Sequence, residues 1–402
     1  MKSLYSIITL FIIFVAVLPQ DTLQATPLRE ISVRYQFNLA TWETSRLPIK
    51  WVYKIGWHLF PINLKYSDRV SIIEDFLLHK KKVAKLNNLM NEAAIGKDSN
   101  LELIEEQFIK ATKDARSIQM NAEEAFESAI SDTIRSEKIP SVMVGPFFFP
   151  PVDFVFEPLP TILVTSRRDK IERLESIFLE ADLPPSKREI LETRILNEQG
   201  VSAIVNNIGG LSTFPNMLTT HDLRTTIEIA GHEWLHSHLF FQPLGRNIHK
   251  DSNMNIINET TANIFGKELS DLVYAQLTGE TAPKYIVGQT EPYACPEGLF
   301  CFNEEMRKTR LKADALLEEG EIEKAENYLE KQRQIFVNNG YSIRKLNQAF
   351  FAFHGTYSDS PTSISPINDQ LLHIRKGSSS LGDFIRKIEV ISDHKQLLEL
   401  LE

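Results

Sequence analysis

The chain has 402 residues, 43% of them apolar and 24% charged, with a net charge of -9 and no basic block. That length allows about two or three domains around sizeable cores, and the charge excludes nucleic acid as a partner, because phosphate binding needs clustered Lys and Arg. Two cysteines, Cys295 and Cys301 in "CPEGLFC", make no disulfide scaffold. Outside the cytosol they would pair across their short loop, and inside it they would be free thiols.

The predicted elements begin with an apolar run from Leu4 to Leu18, behind a single Lys. At 15 residues it has the length of a signal-peptide core and falls short of the ~20 that span a bilayer. Residues 1–25 are therefore expected to be a signal peptide or membrane anchor, placing the protein outside the cytoplasm, secreted or held at a membrane through its N-terminus. "LPIKWVYKIGWHLFP" then mixes Trp, Tyr and Lys with aliphatics. It suits either a membrane–water interface, with Lys snorkelling to the headgroups, or an ordinary packed aromatic segment.

Residues 31–140 read as a helical region. Val70, Ile73, Phe76, Leu77, Val83 and Leu86 recur at helical spacing, and a second amphipathic stretch follows Gly96. Two such helices with a short connection predict an antiparallel hairpin. Near Pro140 the character changes to prolines and dense Phe, Val and Ile, which marks the start of a second unit, 141–402. There "TILVTS" predicts a strand, "RRDKIERLESIFLEAD" a helix, and "SKREILETRILNEQG" a helix closed by Gly200. "VSAIVNNIGGLSTFPNML" predicts strand, Gly-Gly turn, strand. Helices are expected over "TTIEIAGHEWLHSHLFF", "NETTANIFGKELSDLVYAQLTG" and Asn303–Leu346, with a loop-rich "FFAFHGTYSDSP" and one or two final helices.

His232-Glu233-Trp234-Leu235-His236 fits the pattern H-E-x-x-H. On a helix, residues four apart share a face, so both imidazoles reach one metal ion at about 2.0–2.1 Å. Glu233, next to the first ligand, can hold a water without ligating the metal. Thr219 is the expected N-cap with Asp222 three residues on, and Pro243 follows the end of the helix. His238, two residues from His236, faces away from the metal. A third ligand is needed. His249 and Asp251 lie in the polar "GRNIHKDSN", and Glu259 lies in "NETTANIFG", with 22 residues between it and His236.

"HEWLH" followed by "NETTANIFG" resembles the gluzincins, zinc metallopeptidases whose third ligand is a glutamate on the next helix; the second motif is similar to the thermolysin-like N-E-x-x-x-D-I-F-G. The resemblance covers roughly residues 200–270. It implies Zn2+ held by His232, His236 and Glu259, with Glu233 as general base. In the family an Asp four residues after the ligand glutamate orients a zinc-bound histidine, and that position is Asn263 here. The family draws an oxyanion donor, a Tyr or His, from downstream. Tyr357 and His354 in "FAFHGTYSD" are the candidates, with Tyr341 a further one. An edge strand ahead of the motif helix, here within "AIVNNIGGLSTFP", would bind extended peptide by backbone pairing.

The expected architecture is mostly helical α+β, with the resemblance adding a zincin-like catalytic domain and small sheet over 141–402. The expected reaction is metal-assisted hydrolysis of a peptide bond in a peptide or protein substrate. The alternative is a non-catalytic metal-binding or scaffold protein of the same fold.

Overall fold

The computed structural model describes residues 26–59, 66–96, 100–139, 142–144, 147–280 and 299–401; the apolar run within residues 1–25 and Cys295 lie outside them. The described chain opens with helices α1 (Pro27–Ser32), α2 (Leu39–Leu59), α3 (Tyr66–Gly96) and α4 (Leu101–Ser136). The predicted hairpin is α3 and α4. Arg69, at the start of α3, pairs with Asp132, near the end of α4, at 2.8 Å, so the two run antiparallel. Their apolar faces meet at Ile73, Phe76, Ala122 and Phe126, all buried.

Helix α2 is polar on its buried side. Lys50 Nζ lies 2.9 Å from Glu123 and 3.0 Å from Glu127, and Lys54 Nζ lies 3.4 Å from Glu124 and 3.7 Å from Asp153. Its outer side carries Ile49, Val52 and Ile55, all exposed. The lysines of "LPIKWVYKIGWHLFP" thus neutralise buried carboxylates of α4 instead of reaching toward solvent or headgroups. Trp42 of the same helix donates its Nε1–H to Glu157. Among the described residues, no helix is long and apolar enough to cross a membrane.

Next come β1 (Val142–Val144), β2 (Phe147–Phe149), β3 (Phe154–Phe156), β4 (Thr161–Ser166), β5 (Arg173–Leu179), α5 (Pro185–Gln199), β6 (Ser202–Asn207), β7 (Gly210–Leu211) and β8 (Asn216–Leu218). β1 pairs with β2, and two three-stranded sheets follow, β5-β4-β6 and β3-β8-β7. "TILVTS" is the central strand β4. Its alternation places Leu163 against α1 and α5, and Ile162 and Val164 against Ala349 and Phe353 on the other face.

Two expectations fail in this region. "IERLESIFLEAD" holds strand β5 where a helix was predicted. Its apolar spacing fits a helix, but antiparallel pairing with β4, from Thr161↔Leu179 to Ser166↔Arg173, satisfies its backbone, and alternate residues Ile177 and Leu179 enter the core. Thr165, at the bulge, accepts from Glu175 N and donates to Glu175 O. The Gly-Gly turn does not close a hairpin either. β6 pairs with β4, and after Gly209 the chain passes to the other sheet, where β7 pairs with β8.

The remaining helices are α6 (Leu223–Leu239), α7 (Pro243–Arg246), α8 (Ser252–Thr278), α9 (Phe302–Glu318), α10 (Ile322–Asn338), α11 (Gln348–His354), α12 (Ile367–Lys376), α13 (Leu381–Ile388) and α14 (His394–Glu399). The protein is mostly helical α+β, as expected. α6 and α8 cross the main core, where Ile227, Trp234, Ile257 and Phe265 join Phe76 and Phe126 of the N-terminal hairpin, so residues on both sides of Pro140 share one apolar cluster. Trp234 stacks on Phe265 and donates its Nε1–H to Pro150 O at 3.0 Å. Cys301, ahead of α9, is disulfide-bonded.

Candidate metal centre

α6 begins three residues later than its sequence signal. Asp222, not Thr219, is the N-cap, and its carboxylate accepts from Arg224 N and Thr225 N. The end is as expected, with Pro243 opening α7. His232, Glu233 and His236 therefore lie well inside a regular helix. Asp251 caps the N-terminus of α8 by accepting from Met254 N, which removes it as a ligand candidate. α8 then carries Glu259 on its second turn.

The structure brings His232, His236 and Glu259 together, with their donor atoms all within 4.8 Å of one another. His232 Nε2 and His236 Nε2 are 3.0 Å apart, and Glu259 Oε2 is 3.6 Å from the first and 3.5 Å from the second. Two ligands bound tetrahedrally at about 2.0–2.1 Å stand about 3.3 Å apart. The three donors already have that spacing, so the set fits a tetrahedral cation without rearrangement and leaves its fourth position free. His249 lines the same cavity but does not join this group.

Electrostatics agree with the geometry. Burial disfavours charge on His236, but the adjacent Glu259 carboxylate outweighs it and pushes the imidazole up to about 9. Burial likewise works against the Glu259 carboxylate, but the two imidazoles hold it well below the ordinary range. A buried carboxylate held ionised beside two imidazoles is a donor set that a bound cation would satisfy. His236 Nδ1 lies 2.7 Å from Asn258 Oδ1, and this contact fixes which nitrogen faces Glu259. Asn263, the expected orienting residue, does not reach an imidazole; its Nδ2 donates to Asp359 at 2.9 Å.

Glu233 is buried beside the ligands, and burial raises its pKa against the pull of His232 and His236. Gly210 of β7 packs directly against it: a Cβ there would meet Glu233 Cγ at 2.7 Å and Cδ at 2.8 Å. The carboxylate is thus wedged between its own helix and the edge of a sheet. Tyr357 also belongs to this centre. It lines the same cavity, and its ring centroid is 6.3 Å from that of His232. The charge of Glu259, and then burial, push its pKa well above 10.0. His354 lines the same cavity outside the donor group, packed on Phe350 and Phe353 with Nε2 3.3 Å from Asn206. Burial brings it down to about 4, so it is neutral at physiological pH. Tyr341 packs against Phe300, Phe302 and Phe336, away from the centre. His238 is structural: it stacks on Trp234 and bonds Glu389 at 2.8 Å.

The centre opens into a cavity of about 730 Å³. Asn207–Phe214, the segment joining edge strand β6 to β7 and beyond, forms one wall. α2 contributes Leu39 and Glu43, whose carboxylate accepts from Phe214 N at 3.1 Å. Sequence reasoning missed Asn258, Gly210, Glu43 and Arg173 of β5 as cavity or centre residues. Only Asn258 carried a local signal, as the residue directly before the ligand glutamate. Comparison with known protein families, curated proteins and solved structures gives no match to this chain.

Proposed function

We propose that the protein is a zinc-dependent peptidase whose centre is His232, His236 and Glu259, with Glu233 as general base. The observation that carries this is the tetrahedral spacing of three donor atoms from two helices, 3.0 to 3.6 Å, with a buried carboxylate beside them. When bound, zinc supplies Lewis acidity, acidifying water and polarising the substrate carbonyl. Glu233, held in place by Gly210, takes the proton from water and returns it to the leaving amine. Tyr357 is the donor to the carbonyl oxygen as it gains charge, because it lines the cavity beside His232. Asn258 keeps His236 in the ligating tautomer. The backbone of Asn207–Leu211, along the cavity wall, pairs with an extended peptide. The disulfide at Cys301 and the apolar run Leu4–Leu18 support an extracytoplasmic location, either secreted or held at a membrane.

Metal analysis and a peptide-library digest test the proposal together. The purified protein is expected to hold about one zinc ion per chain. Glu233→Gln is expected to abolish cleavage while keeping the ion. A folded wild type that takes up no zinc would refute the proposed centre. Zinc uptake without cleavage of any library would leave a non-catalytic metal-binding scaffold.

A further inference from the structure

Arg173 is the sole Arg or Lys lining the cavity among the described residues. It opens strand β5 and is half-buried, and burial pulls its pKa down. Its Nε donates to Ser176 Oγ at 2.8 Å, which fixes the guanidinium plane. The carbon of that group stands 6.0 Å from the Phe353 ring centroid. Among the described residues, no carboxylate comes within salt-bridge distance, and Nη1 and Nη2 have no acceptor. Glu259 and Tyr357 are close enough to feel its charge. By contrast, Lys50 and Lys54 sit among four carboxylates, and Arg375 is bonded to Glu268 by Nε at 2.8 Å.

A half-buried guanidinium whose fork lies unpaired in a cavity is set to take a partner of opposite charge. A metal ion does not qualify, because a dication with one carboxylate ligand leaves net positive charge beside Arg173. An anion does. The two free Nη groups form a planar fork that matches a carboxylate. We propose that Arg173 is a specificity residue that binds a carboxylate of the substrate next to the bond being cleaved. Two sources share this chemistry: the free C-terminal α-carboxylate of a peptide, and an Asp or Glu side chain. This rests on the peptidase reading.

The test uses zinc-loaded protein and two matched N-acetylated hexapeptide libraries, one with free C-termini and one amidated, with fragments identified by mass spectrometry. Wild type is expected to favour carboxylates by roughly 10- to 100-fold in kcat/KM. Preference for the acid library assigns the C-terminal carboxylate. Enrichment of Asp or Glu beside the cut in the amidated library assigns the side chain. Arg173→Gln is expected to collapse that preference ratio, and Arg173→Lys to keep part of it. Equal cleavage of both libraries with no acidic enrichment overturns the inference and leaves the peptidase reading standing. So does a preference that Arg173→Gln does not change. If wild type cleaves neither library, the peptidase reading fails, and retention of the same libraries on zinc-loaded Glu233→Gln protein decides the matter. Acid-selective retention that Arg173→Gln removes supports a carboxylate site; retention without acid preference overturns it.

Discussion

Replacing Asn258 by Ala separates the geometry of this centre from its resemblance to thermolysin-like sequences. Asn258 is buried, and its Oδ1 lies 2.7 Å from His236 Nδ1. For His236 Nε2 to offer a lone pair to a cation among the three donors, the ring proton must sit on Nδ1, and Asn258 is the acceptor that receives it. Without it a buried N–H is left unpaired, at a cost of about 1–3 kcal/mol. Orienting partners of this kind change metal affinity by about 10- to 100-fold, or about 1.4–2.8 kcal/mol. Asn258→Ala is therefore expected to weaken zinc binding by that factor, read by competition against a fluorescent chelator at fixed pH, with circular dichroism confirming the fold. Asn258→Asp restores an acceptor and brings the affinity back. Asn263→Ala is expected to stay within about threefold of wild type, because Asn263 donates to Asp359 and touches neither imidazole. An Asn263→Ala variant that lost as much affinity as Asn258→Ala would refute this assignment.

Gly210→Ala places a methyl group against Glu233 Cγ and Cδ and is expected to displace the carboxylate, lowering kcat by about 10²- to 10⁴-fold with zinc content unchanged; full activity in this variant would show that Glu233 is not the base. The buried α2–α4 ion cluster predicts a pH dependence of folding. Burial, then the neighbouring carboxylates against the pull of the lysines, raises Glu124 and Asp153 each to about 7, from ordinary values of 4.5 and 3.8. The folded chain thus keeps protons that the unfolded chain has released, so their stabilisation is complete below those ordinary values and is lost as pH rises to about 7. Lys50 and Lys54 are raised, so their contribution stays constant through this window. Urea unfolding at pH 5 and pH 8 is expected to show a smaller loss for Glu124→Gln than for wild type, by on the order of 1–3 kcal/mol. Equal losses would remove Glu124 from the account.

The fold class and the centre were legible to different depths. The hairpin α3–α4, the strand β4 and helices α5, α6 and α8 each carry their own period and stop signals, and all form, α6 three residues after its start signal. The pair His232 and His236 was legible because helical spacing converts sequence distance directly into spatial distance. Arg173 was not, because the periodicity of "IERLESIFLE" serves a helix as well as a strand, and only pairing with β4 decides between them. Gly210 meets Glu233 by packing of β7 on α6, and Glu43 meets Phe214 across 171 residues of chain; neither contact follows a local pattern. The inverted polarity of α2 was hidden for the same reason: Lys50 and Lys54 face inward only because α4 presents Glu123, Glu124 and Glu127 to them.

What "NETTANIFG" contributes also differs from its reading as a string. Gly266, its last residue, is where α8 crosses α6: a Cβ there would lie 2.6 Å from Glu228 O and 3.3 Å from His232 N. Gly231 on α6 answers it, with a Cβ position 2.8 Å from Leu269. The two helices thus approach to backbone contact one turn from His236 and two turns from Glu259. Glu259 and Gly266 are seven residues apart, so they share a face of α8. A glycine is required at the crossing because any side chain would part the helices, and the 3.5–3.6 Å separations between Glu259 and the imidazoles would open with them. Asn258 orients, Glu259 offers the third donor, and Gly266 sets the distance. Asn263, one turn after Glu259 on the same face, ties α8 to the loop at Asp359, which carries Tyr357 up to the centre.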